Sequence, residues 1–179
     1  MGKYIAFLRG INVGGKNKVS MPELKALFEQ NGFTDVSTYI NSGNIIFSTE
    51  NTDEKRIKEA CEMFIRQSLH LNISVAVLSA GELKAALAHA PLWWGENENS
   101  KHNAFLIVPP VTVAEVFKEV GTIKPDYEKV DYYGNVVFWS APIGTFSRTR
   151  WSKVVGSSLY GSITIRNANT MRKLAQMAE

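Results

Sequence analysis

The sequence predicts an α+β protein in which one split βαβ plan occurs twice. Three observations carry this. The apolar pattern reads strand-helix-strand-strand-helix-strand-helix in the first half of the 179 residues and repeats that order in the second. The central hairpins share letters at the same point of that order, Gly43-Asn44-Ile45-Ile46-Phe47 against Gly134-Asn135-Val136-Val137-Phe138. Between the halves lies Pro91-Leu92-Trp93-Trp94-Gly95-Glu96-Asn97-Glu98-Asn99-Ser100, which has no period and is rich in breakers. The expected architecture is two ferredoxin-like subdomains in tandem, with antiparallel sheets and helices on one face. Their expected bounds are 1–90 and 102–179, with a linker over 91–101. The shared order implies an internal duplication.

Lys3 to Leu8 reads as a buried strand. Ser20-Met21-Pro22-Glu23 announces a helix, with Ser20 as N-cap, Glu23 closing a capping box and Pro22 in the first turn. Leu24, Leu27 and Phe28 supply its stripe, and Asn31-Gly32 ends it. Val36 to Ile40 and Ile45 to Ser48 are strands around the turn Asn41-Ser42-Gly43-Asn44. Thr52 or Asp53 opens a helix carrying Ile57, Cys61, Phe64 and Ile65. Ile73 to Leu78 is a strand, and Ser79 with Glu82 boxes the start of the next helix.

In the second half, Asn103 to Val108 is a strand and Thr112 with Glu115 caps a helix. Lys129 to Tyr132 and Val136 to Trp139 form a hairpin about Tyr133-Gly134-Asn135. A helix is expected from about Thr149 to Ser158. Ser162 to Ile165 is a strand, and Asn167 or Asn169 caps the last helix.

Composition sets broad limits. With 45% hydrophobic and 21% charged residues the chain can bury a core. A net charge of +3 is too small to argue for nucleic acid, and it does not exclude it. The single cysteine, Cys61, allows no internal disulfide and fits a reducing cytoplasm. It lies on the apolar stripe of its helix and reads as a core thiol. No run approaches the roughly 20 apolar residues of a membrane helix. The opening run is too short for a signal peptide and is broken by Arg9. The three histidines show no metal spacing, and no metal or cofactor is expected.

The stretch Arg9-Gly10-Ile11-Asn12-Val13-Gly14-Gly15-Lys16-Asn17-Lys18 joins the first strand to the first helix. Glycines let backbone N–H groups face a common space, and cations surround it, which is the chemistry of an anion cradle. In a split βαβ unit the first two strands end on one side, so the glycine loop and the Asn41–Asn44 turn should be neighbours. That rim offers Arg9, Gly10, Asn12, Gly14, Gly15, Lys16, Lys18, Tyr39, Ser42 and Asn44. In the second half the polar clusters are Ser147-Arg148-Thr149-Arg150 and Arg166-Asn167. They are expected at the opposite end of their sheet, turned toward the first half's rim, with Arg148, Arg150, Arg166 and Asn167 closing on the cradle.

Gly10-x-x-x-x-Gly15-Lys16-Asn17 departs from the phosphate loop of nucleotide hydrolases, which needs Ser or Thr after the lysine to hold magnesium. The plain alternative is a wide loop whose glycines only turn the chain. No Gly-x-Ser-x-Gly occurs. Neither hairpin strand has the basic start and spaced aromatics of the RNA-binding RNP1 pattern. Trp93-Trp94 reads either as packing between the halves or as the lining of a ligand pocket.

Leu8-Arg9-Gly10-Ile11-Asn12-Val13-Gly14-Gly15, Thr38-Tyr39-Ile40-Asn41-Ser42-Gly43-Asn44-Ile45-Ile46-Phe47 and Thr164-Ile165-Arg166-Asn167-Ala168-Asn169-Thr170 together resemble the bacterial family catalogued as domain of unknown function 1697. The family's last motif carries an aromatic where this chain has Ala168. The resemblance implies a pair of ferredoxin-like subdomains and no established activity.

Three functional classes follow as expectations. The first is binding of an anionic partner, a phosphorylated small molecule or nucleic-acid phosphate, at the glycine loop. The second is an enzyme on such a ligand, with Tyr39 or Lys16 as acid or base. The third is a structural or interaction protein without a ligand. No recognisable acid–base pairing favours binding over catalysis.

Overall fold

The computed structural model describes residues 1–179. It contains two four-stranded antiparallel sheets and is α+β, two tandem ferredoxin-like subdomains. The chain divides into two compact units, Met1–Lys84 with Lys173–Glu179, and Ala85–Arg172. Segment 91–101 thus lies inside the second unit. No helix is long and apolar enough to cross a membrane.

The first unit contains β1 (Gly2–Leu8), α1 (Met21–Gln30), β2 (Thr34–Tyr39), β3 (Asn44–Thr49), α2 (Glu54–Leu69), β4 (Val75–Ser79) and the start of α3 (Ala80–Ala88). Its strand order is β2-β3-β1-β4. β1 is central, pairing β3 from Gly2↔Thr49 to Phe7↔Asn44 and β4 from Tyr4↔Ser79 to Leu8↔Val75. A strand with neighbours on both edges needs an apolar sequence, and Tyr4 to Leu8 are all buried.

The helices lay their predicted stripes on this sheet. Leu24, Leu27 and Phe28 of α1, and Ile57, Cys61, Phe64 and Ile65 of α2, are buried with Tyr4, Ala6, Leu8, Ile45 and Phe47. Phe28 meets Phe64 edge-on at 4.9 Å, and Phe33 lies 4.6 Å from Phe47. Such pairs add ~0.5–1.5 kcal/mol to the area they bury. The Cys61 thiol is inside this core, and burial pushes its pKa up. Ser20 caps α1 by accepting the Glu23 amide, and Asp53 caps α2 by accepting those of Lys55 and Arg56.

The second unit contains β5 (Ser100–Ile107), α4 (Val113–Val120), β6 (Lys129–Tyr133), β7 (Val136–Pro142), β8 (Ile163–Asn167) and the start of α5 (Ala168–Met177). Its order, β6-β7-β5-β8, matches the first sheet position for position. The capping box of Thr112 and Glu115 is present. Trp94 is buried within this unit, edge-on to Phe138 at 5.0 Å, with its indole N–H donating to Asn103 O. The Arg172 guanidinium lies over it and donates to its carbonyl.

The helix expected from Thr149 to Ser158 is not α-helical. Three 3₁₀ segments stand there, Phe146–Arg148, Trp151–Gly156 and Tyr160–Ser162. The reason lies in the side chains. Thr149 Oγ1 donates to Phe146 O and accepts from Ser152 N, and Ser152 Oγ bonds Thr149 O, so hydroxyls compete for the backbone groups an α-helix would pair. Trp151 and Val154 are buried three residues apart, the repeat of a 3₁₀ turn.

Candidate functional site

β1 and β2 both run antiparallel to β3, so they leave the sheet at the same end. The glycine loop and the Asn41 turn therefore meet. Leu8 N donates to Gly43 O at 2.8 Å, and Asn12 Nδ2 donates to Asn41 O at 2.8 Å.

The loop is organised by its two asparagines. Asn12 sits at φ +55° and spends its whole side chain on the backbone: Oδ1 accepts Val19 N, and Nδ2 donates to Val19 O as well as to Asn41 O. Asn17, at φ +50°, donates from its side chain to Gly10 O and accepts Asn12 N at its carbonyl. Val13 and Lys16 close the tip, with the Lys16 amide on Val13 O. Arg9 N is committed to Ser74 O. Gly10, Gly14 and Gly15 take φ of +68°, +58° and +75°.

A cavity of about 410 Å³ opens on this loop, lined by Asn12, Gly15, Lys18, Val19, Ser20 and Asn41. It lies at the start of α1, whose dipole is positive there. No carboxylate lines it. Lys18 is exposed beside it, whereas Lys16 is exposed at the tip and Arg9 is half-buried. Of the rim residues expected from sequence, Asn12, Gly15 and Lys18 line the cavity.

Asn44 is placed inside the protein. It is fully buried, and its Nδ2 donates to Tyr39 O and Ser42 Oγ, so it holds the turn where sequence reasoning had it orienting a ligand. Tyr39 enters that network through its carbonyl.

Arg148, Arg150, Arg166 and Asn167 belong to the second unit. β7 and β8 both run antiparallel to β5 and so leave their sheet at one end. The start of the 3₁₀ segment at Arg150 already has its anion. Buried Glu128 accepts the amides of Arg150 at 2.8 Å and Trp151 at 3.1 Å, with the Trp139 indole N–H and the Lys124 amide. The Arg148 and Arg150 side chains are exposed. Arg166 is buried, donates to Ile165 O and has its pKa lowered to about 10 by burial. Asn167 caps α5 by accepting Thr170 N.

Sequence reading missed a carboxyl pair in the first unit. Glu54 Oε1 and Glu82 Oε2 both accept the Ser79 amide at 3.0 Å, and Glu82 also takes the Ser79 hydroxyl. Burial, then the hydrogen bond and charge of Glu82, raise the Glu54 pKa to about 7. Against the raising effect of its own burial, bonds from Glu54 and Ser79 lower that of Glu82. Burial and then these two carboxyls raise the pKa of Tyr4. The pair shares a proton below neutrality.

The raised Glu54 value stabilises the fold fully below about pH 4.5, and this is lost as pH climbs through about 7. Glu54→Gln keeps an oxygen for Ser79 N and supplies a permanent donor to Glu82. Its melting temperature is expected to exceed that of the parent at pH 8 and to match it near pH 5. Parallel melting curves at both pH values with unchanged slope would refute this.

The family model described as Protein of unknown function (DUF1697) matches residues 1–138. No curated protein matches. Among solved structures, the conserved bacterial protein SP0830 from Streptococcus pneumoniae is 32% identical, with a TM-score of 0.88 over 99% of this chain and 99% of that one. The first two RRM domains of yeast poly(U)-binding protein Pub1 align over 92% of this chain and 98% of theirs. Their 12% identity and TM-score of 0.25 are too low to carry an argument.

Proposed function

The chain belongs to the DUF1697 family of proteins of unknown function, and from that premise we propose that it binds a phosphorylated or otherwise anionic small ligand at the loop between β1 and α1. One observation carries the reading. The cavity of about 410 Å³ brings Lys18 and the Gly15 backbone to the positive end of α1 with no acid in its lining. The ligand's anionic group would take the Lys18 ammonium and the field of the helix. Asn12 is a positioning residue, holding Val19 and Asn41 as the cavity walls.

A charge-assisted hydrogen bond contributes ~1.5–3 kcal/mol, or roughly 10–100-fold in affinity. Calorimetric titration with pyrophosphate, ribose 5-phosphate and AMP is expected to give saturable binding that weakens with salt. Lys18→Ala should lose about that factor. Lys16→Ala, at the exposed tip, should lose much less. Absence of heat and of thermal shift with every ligand, or equal affinity in Lys18→Ala, would end the proposal.

A further inference from the structure

Three adjacent strands of the second unit set Lys129, Ser140 and His102 in one row. Ser140 of β7 is the direct partner of Lys129 on β6 and of His102 on β5. Directly paired residues share a sheet face. Their face is opposite that of Trp139 and Ala141, which pack in the core of this unit. His102 Nδ1 lies 2.5 Å from Ser140 Oγ, and His102 Nε2 lies 2.8 Å from Asn97 O.

These contacts assign the tautomer. A carbonyl oxygen only accepts, so Nε2 carries the proton and Nδ1 holds the lone pair facing the serine hydroxyl. The Asn97 amide is 3.3 Å from the same nitrogen. Taking it as the donor would leave the Nε2 lone pair against the carbonyl oxygen at the shorter distance. A hydroxyl, a base and a group orienting the base therefore form one hydrogen-bonded chain, the arrangement that activates a serine.

A cavity of about 350 Å³ opens on the row, with Trp93, Pro125 and Tyr127 in its walls. Glu96, Asp126 and Glu128 also line it and oppose an anionic substrate. This site is separate from the glycine-loop cavity, which shares none of its residues.

We infer that this row is an acyl-transfer site for an uncharged carboxylic ester, with Ser140 as nucleophile, His102 as general base and Lys129 as the cation facing the oxyanion. Ser140 Oγ bonds to the ester carbonyl carbon as its proton passes to His102 Nδ1. The Asn97 carbonyl stabilises the imidazolium through Nε2–H. Collapse breaks the bond to the alcohol oxygen, and the alcohol leaves with the proton from His102. Water then attacks the acyl-serine, giving its proton to His102. Ser140 recovers that proton as the carboxylic acid departs. Ester and water become acid and alcohol, with no redox change.

The test treats the full chain with a fluorophosphonate ester and, separately, with p-nitrophenyl acetate, followed by peptide mass mapping. The expected result is one phosphonyl group on Ser140 and a nitrophenol release that Ser140→Ala abolishes. The labelling rate should rise with pH as one group loses a proton, and His102→Gln should slow it at least 100-fold. A native chain carrying no adduct on Ser140, or labelling Ser152 as fast, overturns the proposal without reliance on any variant. So does equal labelling in a His102→Gln protein of unchanged circular dichroism. A loss of labelling that coincides with unfolding of that variant is resolved by the native pH profile, where a flat profile also overturns it.

Discussion

Gly43→Ala is expected to cost about 3 kcal/mol. Gly43 sits at φ +80°, in the left-handed region. An L side chain there costs ~1–2 kcal/mol. The added methyl would also lie 2.7 Å from Ile11 Cδ1 and 2.8 Å from Leu8 Cβ. Both neighbours are buried, and Leu8 Cβ is fixed by the backbone, whose amide is hydrogen-bonded to the Gly43 carbonyl, so it cannot swing aside. Overpacking of this kind adds ~1–3 kcal/mol. Gly14→Ala is the internal control, because its φ is +58° but nothing lies within 4 Å of the added methyl. It should lose only the backbone term. Urea unfolding followed by circular dichroism compares them. A Gly43→Ala midpoint indistinguishable from that of Gly14→Ala would refute the packing argument. The loop's seating on the Asn41 turn depends on that same contact.

Removing the Glu128 carboxyl is the second large effect. Its two oxygens gather four N–H donors, from Lys124, Trp139, Arg150 and Trp151. The Trp139 and Trp151 donors are buried. Each buried donor left without an acceptor costs ~1–3 kcal/mol. Glu128→Ala is expected to lose about 3–5 kcal/mol, since water reaches only part of the vacated space. Glu128→Gln keeps one acceptor oxygen and turns the other into a donor facing donors, so it should lose a substantial share of this. Trp139 and Trp151 report the change directly in fluorescence-monitored unfolding. A Glu128→Ala midpoint within about 1 kcal/mol of the parent would show that the four bonds are replaced by solvent at no cost.

These two residues mark where sequence reading succeeded and where it stopped. The boxes at Ser79–Glu82 and Thr112–Glu115 were legible because their partners stand three residues apart on one turn of chain. The glycine loop and its meeting with the Asn41 turn were legible from topology. The roles of Asn12 and Asn44 were not. A side-chain amide looks the same in a sequence whether it faces a ligand or the backbone, and here both asparagines bond the backbone. Glu128 gave no signal because three of its four donors, on Trp139, Arg150 and Trp151, stand more than ten residues away along the chain. The same holds for Glu54, which meets Glu82 only because both helix starts reach the end of β4.

By itself the sequence determined the order of the strands, most of the helices and most caps. Apolar period, capping side chains and turn glycines act within a few residues and need no partner from elsewhere. Only the tertiary structure decided which polar groups are spent and which are left to act. It gave the amides at Arg150 to Glu128, turned an expected helix into 3₁₀ turns, and set Lys129, Ser140 and His102 side by side. Those outcomes depend on strand register and on competition for hydrogen bonds between distant segments, and neither quantity exists until the chain has folded.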